Sequence, residues 1–426
     1  MKKHPLKKTR LLYGDLFAGA GGLSVGFHAA GFTPVFYNDI DRQASETFAY
    51  NFPAVVPFVS PIQKLTAKSI RKETALGRGN LDVMIGGPPC QGFSINAPIR
   101  SESDPRNHLF HHYVRLVLEG LRPKFIVMEN VPGLVSLDGG ATLRNVLTAF
   151  EQAGYRVAFK ILNAAHYGVP QERWRLILIG TSLPGIEPSF PPPTHYSLQR
   201  PNFTGGREYT FSYAIGAPEQ VSFLHGPLLA PTTIAEAIGD LPPIVSGGGY
   251  PVMNYKGPPM NAYQKQLRLG SRKPYNHECV GVAPVNLERI KHVKPGGSWR
   301  DIPHQLLPKG LQRARRSDHT KRYGRLDPEA LSGTIMTKCD PHWGTVFHYA
   351  QDRIISVREA ARLQSFPDWF KFTGSKVDQY KQVGNAVPPL LAQALAEHIK
   401  GILMATGYFQ PSSHHKERRY ASSQGK

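Results

Sequence analysis

The sequence predicts an α/β protein built on a mostly parallel, doubly wound sheet, with a smaller loop-rich segment set into it. Three observations carry that prediction. From residue 11 to about 180, short apolar runs alternate with stretches of helix length, the pattern of strands that must be crossed over by helices. A glycine-rich turn, Gly19-Ala20-Gly21-Gly22, follows the first run, and such a turn lets backbone approach a ligand at a helix N-terminus. After residue 180 the chain becomes rich in Pro and Gly, and regular patterning returns after residue 353.

The elements follow in order. Strands are expected at residues 11–17, 34–37, 81–85, 125–128 and 175–180. A helix to Ala30, closed by Gly31, follows the glycine turn, and Asp39 stands about 20 residues on, at the end of the second strand, suited to ribose hydroxyls. As a dinucleotide fingerprint the turn fails at its third glycine, where Ser24 stands. The third strand feeds Gly86-Gly87-Pro88-Pro89-Cys90-Gln91-Gly92-Phe93-Ser94, a stiff turn carrying one of only three cysteines. Ligands bind at the C-terminal edge of open α/β sheets. Cys90 is therefore either a nucleophile placed there or a small buried apolar side chain.

The fourth strand runs into Glu129, which puts a carboxylate at the same edge. Arg173 and Arg175 occupy alternate positions, so an extended chain there turns both guanidinium groups to one side. Prolines and glycines at Pro191-Pro192-Pro193, Gly205-Gly206, Pro242-Pro243 and Gly247-Gly248-Gly249 break up the middle segment into loops and short strands. Ser356-Val357-Arg358-Glu359 opens a helix as a capping box. A last helix starts at Pro388 or Pro389 and runs to about Leu403, with proline in its first turn. The polar, basic tail from residue 410 reads as disordered.

Composition narrows the partners. The 426 residues carry a net charge of +20, which points to a polyanion, nucleic acid before membrane. Residues 289–325 hold eleven Lys and Arg against Asp301 and Asp318, either a solvated surface or a phosphate-contacting stripe. No apolar stretch approaches a membrane span, and the basic start lacks the features of a signal peptide, so a cytoplasmic protein is expected. The three cysteines are far apart, so no disulfide framework and no metal site is expected. His108, His111 and His112 read as a solvated helix face.

In order along the chain, Asp15-Leu16-Phe17-Ala18-Gly19-Ala20-Gly21-Gly22, Gly87-Pro88-Pro89-Cys90-Gln91-Gly92-Phe93-Ser94, Glu129-Asn130-Val131, Gln171-Glu172-Arg173-Trp174-Arg175, Arg358-Glu359-Ala360-Ala361-Arg362-Leu363-Gln364-Ser365-Phe366-Pro367 and Gly384-Asn385-Ala386-Val387-Pro388-Pro389 resemble the DNA (cytosine-5) methyltransferase family, in its bacterial restriction-modification type. The resemblance implies a Rossmann-like S-adenosylmethionine-dependent methyltransferase fold. It implies a catalytic domain over 1–180, a target-recognition domain over 181–325, a return to the catalytic domain over 326–409, and a basic tail over 410–426.

The family match makes Cys90 the nucleophile that adds to carbon 6 of a flipped cytosine, with Glu129 at N3 and the amino group, Arg175 at O2, and Arg173 nearby. The resemblance carries cofactor contacts over to Phe17, Ala20, Gly22, Asp39, Ile40, Leu109 and Asn385. Ser60-Pro61-Ile62 departs from the family's usual Gly-Asp-Ile, so the acid that would bind the adenine amino group is missing there. Arg313, Arg315, Arg316, Lys321 and Arg322 are the candidate DNA contacts. The expected partner is double-stranded DNA, with no membrane and no metal, and the chain is expected to act as a monomer. A stand-alone chain of this kind is expected to protect host DNA from a cognate endonuclease. An orphan methyltransferase, a tRNA cytosine-5 methyltransferase and a non-catalytic DNA-binding relative are the alternatives.

Overall fold

The structure is a computed structural model that describes residues 10–89, 109–206, 208–216, 227–315, 317–318 and 321–409. Contacts among the described residues divide the chain into two compact units, one within residues 10–167, 174–230 and 387–409, the other within 168–173 and 231–386.

The first unit is built on a seven-stranded sheet of β1 (Leu11–Leu16), β2 (Phe32–Asp39), β3 (Val56–Val59), β4 (Val83–Gly86), β5 (Phe125–Asn130), β6 (Arg156–Asn163) and β7 (Trp174–Thr181), in the order β3-β2-β1-β4-β5-β7-β6. The first five strands are mutually parallel, whereas β7 runs antiparallel to both β5 and β6. All four residues of β4 are buried, and so are Phe125, Ile126, Val127 and Met128 of β5. That burial is why these strands read as unbroken apolar runs rather than alternating ones.

Helices α1 (Gly22–Ala29), α2 (Arg42–Asn51), α3 (Ala67–Thr74), α4 (Leu109–Leu116) and α5 (Ala141–Gln152) connect the strands. Two of the starts carry side-chain caps. Asp41 accepts from the N–H groups of Gln43 and Ala44 at the head of α2, and Thr66 with Ser69 forms a capping box on α3. The helix Pro389–Ala405 begins, as predicted, with proline in its first turn. It packs on α1 so closely that a Cβ on Gly26 would lie 2.4 Å from the carbonyl oxygen of Pro389. The ammonium of Lys400 donates to the carbonyl of Ala30 at 2.9 Å, closing the C-terminal end of α1.

The second unit contains the helices Ile234–Ile238, Ala262–Leu267, Pro284–His292, Val357–Leu363 and Lys376–Asn385 with two small sheets. In one sheet β8 (Gly249–Val252) and β9 (Tyr275–Glu278) are antiparallel. In the other β10 (Gly324–Arg325) and β11 (Thr345–Phe347) are parallel. The Ser356–Glu359 capping box is present. Here the interior is held by buried arginines. Arg362 reaches Asp240 and, at 2.6 Å, Asp368, while Arg353 makes a bidentate pair with Glu359 at 2.6 and 2.7 Å. Burial alone would raise the Glu359 carboxyl, but Arg353 holds it well below the usual carboxylate range.

Candidate active site

At the C-terminal edge of the parallel strands, the turn after β1 is fixed by backbone. The Ala18 N–H donates to the carbonyl of Asn38 at 3.0 Å, and the Gly21 N–H to that of Ala18 at 2.9 Å. Gly21 has φ +100°, and a Cβ there would lie 2.9 Å from the Phe48 ring, so conformation and space both require glycine. The N-terminal amides of α1 receive no side-chain cap.

Asp39, at the end of β2, accepts from the N–H of Gly19 at 2.7 Å and from the N–H of Asp41 at 2.7 Å. Burial raises its pKa, against the lowering effect of these two bonds. Ile40 beside it leaves its side chain 70% exposed. Phe17, with φ +56°, and Leu109 pack their partly buried side chains on the same core cluster, while Ala20 is buried and Gly22 opens α1.

These residues fit an adenosine-bearing cofactor. A carboxylate with acceptor capacity left for hydroxyls, an apolar side chain presented beside it, and a turn at Gly19 where a Cβ would meet nothing within 4 Å suit its ribose and base. Where the adenine acid is absent, Pro61 leads into a short turn over Ile62–Lys64, and the Ser60 carbonyl accepts from the Asn38 amide at 2.9 Å.

Asp15 lies near the end of β1, fully buried. One of its oxygens accepts from the Ser24 hydroxyl at 2.7 Å, and the other has no hydrogen-bond partner among the described residues. Burial pushes this carboxyl up to about 8, the Ser24 bond opposing and the nearby Asp39 adding to the shift. It is therefore largely protonated at neutral pH.

Glu129 and Arg175 meet. Glu129 is directly opposite Ile177 in the β5–β7 pair, so Arg175, two residues before Ile177, lies on the same face of the sheet. The Arg175 Nε is 2.7 Å from a carboxylate oxygen of Glu129, both side chains being mostly buried. Burial lowers the Arg175 pKa, and Glu129 acts in the opposite direction.

The segment that leads to Cys90 passes beside this pair. A Cβ on Gly87 would lie 3.0 Å from the other Glu129 oxygen, and the Asn130 side-chain amide donates to the carbonyl of Pro88 at 3.2 Å. Cys90 itself lies outside the described residues, two positions after Pro88 in the chain. Asn130 has no role of its own among the residues that the sequence singles out. Its signal in the sequence is an amide-bearing residue directly after Glu129.

Arg173 behaves differently from the expected extended pair. It precedes β7, and its guanidinium donates to the carbonyls of Gly384 at 2.8 Å and Ala386 at 3.0 Å within the second unit. Asn385, also in that unit, is exposed at the end of its helix. Arg313, Arg315 and Lys321 are exposed, Arg322 is half-buried, and Arg316 lies outside the described residues.

Residues 12–401 match the family described as C-5 cytosine-specific DNA methylase. The chain is 36% identical over 401 residues to the type II methyltransferase M1.HphI of Haemophilus parahaemolyticus, covering 94% of this chain and 89% of that protein. It is 33% identical over 435 residues to the type II methyltransferase M.AgeI of Thalassovita gelatinovora, covering 91% and 98%. Among solved structures, a candidate DNA modification methyltransferase encoded within a prophage of E. coli superposes with a TM-score of 0.67 at 25% identity, covering 92% of this chain and 99% of that one. With its mostly parallel sheet and a match over nearly its whole length, the chain belongs to the C-5 cytosine-specific DNA methylase family and is a DNA (cytosine-5) methyltransferase.

Proposed function

We propose that the enzyme methylates one cytosine within a specific double-stranded DNA sequence through a covalent adduct of Cys90 on a flipped base, with S-adenosylmethionine as donor. The observation that carries this reading is the Glu129–Arg175 ion pair beside Gly87 and Pro88, the last anchored residues before Cys90. Carbon 5 of cytosine is a poor nucleophile, and it is also inaccessible inside the stack. The Cys90 thiolate adds to carbon 6. Glu129 hydrogen-bonds N3 and the amino group as negative charge moves into the ring, and Arg175 steadies O2. After carbon 5 has been methylated, its proton leaves and the carbon–sulfur bond breaks, returning the thiolate. Arg173 acts as a positioning residue through the carbonyls it holds.

S-adenosylmethionine, when bound, supplies a methyl group made electrophilic by its sulfonium. Asp39 would hold the ribose hydroxyls, Ile40 the adenine, Phe17, Ala20, Gly22 and Leu109 the remainder, and Asn385 the methionine end. Residues 181–325 carry target recognition, with Arg313, Arg315, Arg316, Lys321 and Arg322 on phosphates. The exposed positions of Arg313, Arg315 and Lys321 support that reading. The enzyme works as a cytoplasmic monomer that protects host DNA from a cognate restriction endonuclease, a role supported by the type II methyltransferases it resembles.

Labelled methyl transfer to duplex DNA and to tRNA tests this proposal. The wild-type protein is expected to label DNA alone, and Cys90→Ser to abolish labelling while still binding the donor. DNA from expressing cells is expected to carry 5-methylcytosine in one sequence context and to resist an endonuclease that cuts there. No label in duplex DNA sinks the proposal.

A further inference from the structure

One tryptophan is held out to solvent by the second unit. Trp343 is 57% exposed, on the turn that precedes β11. That turn is fixed within its unit: the Asp340 carboxylate accepts from the His342 N–H at 2.8 Å, the Asp340 carbonyl from the Trp343 N–H at 3.0 Å, and the Pro341 carbonyl from the Tyr323 N–H at 2.7 Å. A series of rings supports it from the interior. Phe347 is fully buried and its ring centroid is 6.4 Å from that of Tyr323. Tyr323 is 6.2 Å from His342, and His342 meets Trp343 edge-on at 5.0 Å. A large exposed apolar ring supported in this way gives up little side-chain freedom on binding.

Its surroundings select the partner. The Arg322 guanidinium lies 5.3 Å from the centroid of the Trp343 ring, and Lys321 and Lys338 are exposed nearby in sequence. The carboxylate on this turn, Asp340, is engaged with the His342 backbone N–H. Arg322 belongs to the stretch in which eleven cations face two acids. An apolar ring with a guanidinium over it is complementary to a ligand that presents aromatic faces next to negative charges, which is the chemistry of nucleic acid.

We propose that Trp343 stacks on or wedges between bases of the DNA substrate, and that Arg322, held over its ring, contacts the adjoining phosphate. This contact rests on the reading of the chain as a DNA methyltransferase and adds a residue to its substrate surface. Neither Trp343 nor its turn stood among the expected DNA contacts.

The test uses the full chain, with DNA affinity read by anisotropy at several salt concentrations and with KM for DNA and kcat read by methyl transfer. Trp343→Ala is expected to weaken DNA binding about 5- to 100-fold, to raise KM for DNA, and to leave the salt slope unchanged. Trp343→Phe is expected to recover most of the loss. Arg322→Ala is expected to lower the salt slope by about one unit. A Trp343→Ala protein with wild-type melting temperature and a DNA Kd within twofold of wild type overturns the proposal. If that variant unfolds, Trp343→Phe and Trp343→Leu replace it: stacking requires the aromatic variant to bind more tightly, and equal affinities overturn it. The reading beneath fails by a different result, namely wild-type protein that transfers no methyl group to DNA.

Discussion

Glu129 and Arg175 form a charged pair in mostly buried surroundings, so removing one charge affects both residues. Glu129→Gln keeps the shape but takes away the carboxylate next to Arg175 and the group that hydrogen-bonds N3 and the amino group while negative charge moves into the ring. A fall in kcat of roughly 10²–10³-fold is expected, with donor affinity unchanged, measured by single-turnover methyl transfer. Asp15 gives a prediction about pH. Its carboxyl lies near the ordinary value of 3.8 in the unfolded chain and at about 8 in the folded one. The folded state therefore holds the extra proton between these values, and Asp15 makes stability fall as pH rises through that window. Asp15→Asn keeps a side chain that bonds to Ser24 and cannot ionise. It is expected to flatten the decline in melting temperature between pH 5 and pH 8, and a variant with the wild-type slope contradicts the assignment.

Packing between elements explains which parts of the fold were legible. All five interior strands, β1, β2, β4, β5 and β7, are legible as short apolar runs, continuous where burial is complete. The two strands without such a signal, β3 and β6, are the two edges of the sheet. In β3, Val56-Pro57-Phe58-Val59 has no fully buried residue, and the first five residues of β6 are only half-buried. Edge strands need no continuous apolar signal, and proline is tolerated there. The reversed direction of β7 was equally hidden, since strand polarity leaves no mark in composition. Contact between α1 and the helix Pro389–Ala405 gives a test at this scale. Gly26→Ala places a methyl group against the Pro389 carbonyl and the Ala392 Cβ. A loss of about 1–3 kcal/mol is expected, seen as a lower urea midpoint at an unchanged m-value.

For the whole molecule the charge of +20 is the dominant quantity. If about six phosphates are neutralised, DNA affinity is expected to fall about 10³-fold between 50 and 200 mM salt. A loss below about tenfold in titrations at the two concentrations contradicts a polyanion-binding surface. The sequence motifs identified the chemistry of Glu129 and Arg175, but their meeting depends on the antiparallel β5–β7 pair, which no motif encodes. That pair acts as a reading frame in space. Because neighbouring residues on a strand point to opposite faces, a slip of one position carries Arg175 through the sheet to its far side. Substitutions along β7 are thus graded in their effects, whereas deletion of Leu176 is a frameshift: it leaves the composition of the site almost intact and removes the partner of Glu129.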